Sequence, residues 1–305
     1  MKRKWLFKLL GLSSVGFILI SYSWAGEVVT KDLRTWAQKM IQEEKAVKAP
    51  PARNTMAVPY FQNKTGQADL NPLQKGIALM LTTDLSKLKE FQVLERARFQ
   101  ALVEELGLGS SGLIEPNTAP RVGRLLGAHW LVGGSIGKGK GEQIQLQSNP
   151  LDVTTQNILG QPETEGPLSE LFRMEKDLLF QIVKLLKIEL TPEQEKELRK
   201  PFSTNLDALM ALCRGIESSD RGDYKKAVDY YEKALKLDSN ILVARGAVQQ
   251  LKDLRLIPEK KKSHEVLRSL RDRGSVTDQL TTEDTTKRER KPSGVPAEGV
   301  QTYYP

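Results

Sequence analysis

The run GGSIG (Gly133–Gly137) places Ser135 in the G-x-S-x-G pattern of a nucleophile elbow. That chemistry needs a sharp strand-to-helix turn that presents the serine hydroxyl to a base. Here Ser135 leads into a glycine–lysine turn and a further strand, and the one histidine after it is His264, in a basic region. The overlapping run GSIGKGKG (Gly134–Gly141) comes close to a phosphate-binding loop. Gly141 stands where Ser or Thr would hold magnesium, and no helix follows to offer its N-terminus to a phosphate. His129 precedes an apolar strand with no histidine beside it, which suits a strand end better than a metal site. Cys213, the sole cysteine, falls on the inner spacing of a helix and suits packing. No residue is therefore assigned to catalysis, to a cofactor or to a metal. The candidate contact residues are Tyr224 and Tyr230, aromatics with a polar tip of the kind that suits protein contact.

The elements around these residues can be read from periodicity. Glu90–Leu106, EFQVLERARFQALVEEL, organises the chain. Phe91 to Leu94 suit a strand buried on at least one face. Phe99, Leu102, Val103 and Leu106 then recur at helical spacing, and Gly107 and Gly109 stop the helix. Glu95 and Arg96 form the charged corner between the two. Before this unit, Thr55–Phe61 reads as a strand that bends or lies near an edge at Pro59. A loop leads to a helix from Asn71-Pro72 to about Lys87, with Leu73, Ile77, Leu81 and Leu85 on one face. After the unit come a short helix, Thr118–Leu126, and a strand, Trp130–Ile136. Two short strands follow, Glu142–Gln147 and Leu151–Ile158, joined by Ser148-Asn149-Pro150. Gly160–Gly166 reads as a loop. A long helix, Leu168–Glu189, buries Leu171, Phe172, Leu178, Leu179, Ile182, Leu185 and Leu186. The fold class is α/β, a mixed sheet flanked by helices in the order β-α-β-α-α-β-β-β-α, with parallel crossovers first and an antiparallel meander after.

The ends differ from this core. Lys2, Arg3, Lys4 and Lys8 precede a 14-residue apolar run, Leu9–Tyr22, and Ser23-Trp24-Ala25 offers a peptidase site. Residues 1–25 thus read as a signal peptide cleaved after Ala25, with an uncleaved anchor as the alternative. No cysteine follows that could carry lipid. The segment holds four positive residues and no acid, so cleavage takes the net charge from +8 to +4. That mild excess, with basic runs confined to polar C-terminal sequence, gives no nucleic-acid footprint. Residues 26–54 make an amphipathic helix, with Leu33, Trp36, Met40 and Val47 in its stripe, and a proline-containing linker. Residues 55–190 form the α/β domain and 191–203 a connector helix, opened by a capping box at Thr191 and Gln194. Residues 204–254 are helical, broken at Gly222-Asp223-Tyr224 and Asp238-Ser239-Asn240. Residues 255–271 hold a short basic helix, and the polar tail 272–305 reads as disordered.

Two resemblances follow from these residues. MAVPYFQNKTG, FQVLERARFQALVEELGL, GRLLGAHWLVGGSIGK, LDVTTQNILG and EGPLSELFRMEKDLL, in that order, resemble the CsgG family, which includes the curli secretion component and relatives among TolB N-terminal-like domains. The chain departs from secretion-pore members, which are lipoproteins with long membrane hairpins. Its own meander strands are shorter than the ~9–11 residues a spanning strand needs, so no pore is expected. GIESSDRGDYKKAVDYYEKALKLDSN resembles one tetratricopeptide repeat, an ordinary helical hairpin being the plainer reading. Gly215, Gly222, Tyr224, Ala227, Tyr231 and Ala234 fit its packing positions. A single unit must lean on the neighbouring domain, on a partner or on another copy.

The CsgG resemblance implies an exported, non-enzymatic, periplasmic protein of the bacterial cell envelope, acting as an assembly scaffold or secretion accessory. Its partners would be other envelope proteins, with self-association and peripheral outer-membrane attachment left open. A regulatory binder of a periplasmic cell-wall synthase is the alternative, and a periplasmic hydrolase the third reading.

Overall fold

The computed structural model describes residues 28–46, 53–108, 115 and 117–258. The signal segment, Val47, the proline linker and the C-terminal tail expected from sequence lie outside these residues. So does the basic helix from residue 259 onward.

Among the described residues, seven strands form one sheet: β1 (Thr55–Ala57), β2 (Gln62–Asn63), β3 (Gln92–Val93), β4 (Trp130–Lys138), β5 (Ile144–Asp152), β6 (Asn157–Ile158) and β7 (Glu163–Gly166). Their order is β3-β1-β4-β5-β6, with β2 on β4 and β7 on β5. β1 pairs in parallel with both β3 and β4, and β5 is antiparallel to β4, β6 and β7. The mixed sheet is thus the expected one. The first strand is interrupted at the expected proline: Ala57 pairs Leu131 and Gln62 pairs Ser135, so five steps along one strand match four along the other.

Two expectations about the meander are corrected. The sequence read as two short strands joined by Ser148-Asn149-Pro150 is one continuous strand of nine residues, β5, followed by the two-residue β6. Proline is tolerated there because of where its ring nitrogen points. Pro150 O accepts from Leu159 N, on the side away from β4, so the missing N–H costs the β4 ladder nothing. Ser148 adds a bond of its own, its hydroxyl donating to Gly133 O at 2.8 Å. With β4 and β5 both nine residues long, the length argument against a spanning hairpin does not stand. The pair is built into this sheet, with Val132, Ile136 and Leu146 fully buried. The second correction is that Gly160–Gly166 is not all loop. β7 pairs Glu163–Gly166 with Ile144–Gln147 through the backbone, which side-chain pattern does not record.

The helices are α1 (Lys31–Gln42), α2 (Leu73–Leu85), α3 (Arg96–Glu105), α4 (Ala119–Leu126), α5 (Leu171–Leu185), α6 (Pro192–Leu198), α7 (Leu206–Asp220), α8 (Tyr224–Leu237) and α9 (Leu242–Asp253). α6 opens with the expected capping box between Thr191 and Gln194. α2 and α5 pack on the sheet, and α7 packs on α2. α2 is therefore buried nearly all round, including Lys75, Leu79, Met80 and Asp84 beside the expected Leu73, Ile77, Leu81 and Leu85. A one-faced helix was expected; the outer face is covered by helices from later in the chain. α5 buries Met174, Glu175, Lys176 and Val183 along with Leu171, Leu178, Leu179 and Ile182, while Phe172, Leu185 and Leu186 are only partly covered.

Candidate partner-binding cleft

Arg96, the corner residue of the organising unit, points inward. Its Nη1 donates to both oxygens of Asp220 at 3.0 and 3.1 Å and to the Tyr60 hydroxyl at 2.9 Å. Lys75 Nζ donates to the same carboxylate at 2.6 Å and sits 5.1 Å from the Tyr60 ring centre. All three charges are buried. One carboxylate at the end of α7 thus clamps α2 and α3. A buried charge survives only when paired and hydrogen-bonded, and this geometry supplies both. Beside the clamp, Gly76 lets α7 approach: a Cβ there would stand 2.9 Å from Cys213 Sγ.

α8 closes on α7 as its spacing requires. Ala227, Tyr231 and Ala234 are buried on one face. A Cβ on Gly215 would stand 2.5 Å from two Tyr231 ring carbons, so the ring lies directly on the glycine backbone. Asp223 caps α8 by accepting from Lys226 N, and Gly222 supplies the left-handed residue at the turn with φ +79°.

Tyr230, turned away from that face, is half-buried in a cleft of about 290 Å³. Arg214, Glu217 and Ser218 line it from α7 and Arg221 from the C-cap of that helix, Lys226 and Tyr230 from α8, and Ala68, Asp69, Asn71 and Pro72 from the approach to α2. The α7 residues follow three-and-four spacing, as do Lys226 and Tyr230 on α8, so each helix presents one stripe. Arg221 and Glu217 pair at 3.3 Å. The Arg214 guanidinium and the Lys226 ammonium are exposed, and among the described residues neither forms an ion pair with a carboxylate. The cleft residues on α7 were not singled out from sequence, although the Arg214, Glu217 and Arg221 spacing was there to find. Tyr224 is elsewhere. It packs, partly buried, against the core at the start of α8 and does not line the cleft.

Ser135 lies in mid-strand, 6% exposed, paired with Gln62 and Gln147. A second cleft of about 140 Å³ touches it, also lined by Pro59, Tyr60, Lys64, Gly133, Asn149 and Ile158. No histidine or carboxylate is among the lining residues, and the strand makes no elbow there. His129 stands at the strand end, its ring edge-on to Trp130 and its Nδ1 3.3 Å from the Thr154 hydroxyl. Cys213 is fully buried, and burial pushes its thiol up to about 12.

An α/β sheet domain carrying a helical C-terminal region is the class this geometry defines. Residues 37–138, from within α1 to the end of β4, match the family model described as curli production assembly/transport component CsgG. Among curated proteins, a Rhizobium meliloti (strain 1021) protein provisionally named adenylate cyclase 3 is 26% identical over 170 residues, which cover 55% of this chain. The chain spans only 27% of that relative's length. Among solved structures, the LpoB C-terminal domain from Salmonella enterica is similar with a TM-score of 0.32 and 20% identity, over 48% of this chain and 99% of that one. Lipoprotein GNA1162 from Neisseria meningitidis gives a TM-score of 0.32 at 14% identity, over 45% of this chain and 99% of that one.

Proposed function

We propose that this chain is an exported accessory protein of the bacterial cell envelope, which works by docking a protein partner and catalyses no reaction. The observation that carries the reading is the match of residues 37–138 to a family named for curli assembly and transport. The rest of the architecture is compatible with it. Ser135 has neither histidine nor carboxylate among its cleft neighbours, and the cleft at Tyr230 sets exposed cations beside an aromatic. The helix pair α7–α8 acts as one tetratricopeptide-like unit leaning on α2, and its outer side meets the partner. An assembly scaffold and a secretion accessory are the finer roles within this reading.

The test is cross-linking of the tagged full chain in envelope fractions, followed by the same capture with Tyr230→Ala and Lys226→Glu. A partner captured by the wild type and lost with the variants, at unchanged melting temperature, supports the reading. Recovery of the chain in the cytosol with Met1 intact overturns the envelope assignment. Capture indifferent to both variants overturns the cleft as the docking site.

A further inference from the structure

Resting on that docking reading, we infer that the α7–α8 cleft recognises an acidic peptide segment, whose carboxylates pair with Arg214 and Lys226 while its chain lies along Tyr230. The charges decide the ligand class. Three cations and two carboxylates line the cleft, and the Arg221–Glu217 pair neutralises itself. What remains is Arg214 and Lys226 facing outward, set against Asp69. A nucleic acid carries a charge at every nucleotide and has no backbone N–H to meet Asp69. A peptide carries carboxylates at intervals, with backbone N–H groups between them that Asp69 can accept. The planar guanidinium of Arg214 suits a carboxylate in the two-bond geometry. Tyr230, half-buried and lining the cleft, gives the peptide a rigid amphipathic surface at little entropic cost. The site is also a formed one. Both walls are helices held by the buried Asp220 clamp and by the Tyr231–Gly215 contact, so no ordering of the cleft is needed on binding.

The experiment uses the full chain and three probes: a short capped peptide rich in Asp and Glu, its Asn/Gln counterpart, and inorganic phosphate. Binding is followed by NMR on the tyrosine side chains and by calorimetry. The acidic peptide should bind, shift the Tyr230 resonances, and weaken as salt rises. The double variant Arg214→Glu, Lys226→Glu should weaken it by about tenfold or more, since each reversed charge replaces an attraction by a repulsion. Both side chains are exposed, so the variant should keep the wild-type melt. Tyr230→Phe keeps the ring and should retain most of the affinity. Equal binding of the neutral peptide, or phosphate binding without peptide binding, overturns the inference. If the acidic peptide fails while envelope capture still depends on Tyr230, the ligand class is wrong and the docking reading stands.

Discussion

Glu175 is the residue whose surroundings conflict most with its chemistry. It is fully buried in α5, its carboxylate is met by no close hydrogen bond among the described residues, and Lys176 Nζ lies 3.5 Å from one of its oxygens. Lys176 and Lys87 are both drawn instead to Asp84, on α2. Burial first, and the Asp84 charge second, push Glu175 up to about 8. The folded chain therefore holds this proton well above the ordinary carboxylate value, while the unfolded chain releases it near 4.5. This group's stabilising contribution is present below that lower value and is lost as pH rises to about 8. Melting temperature against pH should fall across that window, and Glu175→Gln should flatten the fall. A variant with the wild-type slope would show the carboxyl already ionised in the fold. Leu102 poses the plainer case. It is wholly buried in α3, and Leu102→Ala should cost about 2–5 kcal/mol in a denaturant melt. An unchanged midpoint would contradict its place in the core.

At the scale of elements, Asp220 couples α7 to α2 and α3. Asp220→Ala leaves Lys75 and Arg96 without their buried carboxylate and should cost about 3–5 kcal/mol in stability. Asp220→Asn, which keeps the shape, should cost less. Equal melts for wild type and alanine variant would mean that the clamp is solvated. This contact also marks the boundary of what the sequence discloses. Helix spacing announced α3, α7 and α8, and the pairing of Ala227, Tyr231 and Ala234 with Gly215 followed from local periodicity. Thr191 and Gln194 announced a helix start because a cap is a local event. Arg96 and Asp220 lie 124 positions apart, and nothing local links them. The same holds for α2, whose second buried face exists only because α7 and α5 cover it. β7 was illegible for a different reason: an edge strand of Glu, Thr and Gly is defined by backbone pairing, not by apolar alternation. The Tyr230 cleft was half legible. Its aromatic and Lys226 share one stripe of α8 and its α7 cations another, whereas the meeting of the two stripes at one cleft needed the packing of α8 on α7.

Taken whole, the described residues up to Ile257 group as one compact unit. α1 belongs to it. Trp36 lies under the Arg98 guanidinium at 4.2 Å, and Val28 N donates to Gln250 of α9 at 3.1 Å. A fragment ending at Lys200 would expose α2 and remove the Asp220 carboxylate that Lys75 and Arg96 share. It should melt earlier than the full chain or aggregate. A fragment as stable as the full chain would show that α7–α9 are an independent module. The N-terminal expectation is tested separately, by sequencing the protein from envelope fractions, where the chain should begin at Gly26. A chain beginning at Met1 would contradict cleavage.

The sole thiol has a use that follows from its position. Cys213 Sγ sits where α7 presses on Gly76, and a thiol held up to about 12 offers almost no reactive thiolate while buried. A thiol-specific dye can therefore reach it only when α7 lifts from α2. The labelling rate is thus a clock for that one opening, read without adding a probe. If the lift is local, Asp220→Asn will quicken labelling more than Glu175→Gln does, even where the two variants melt alike.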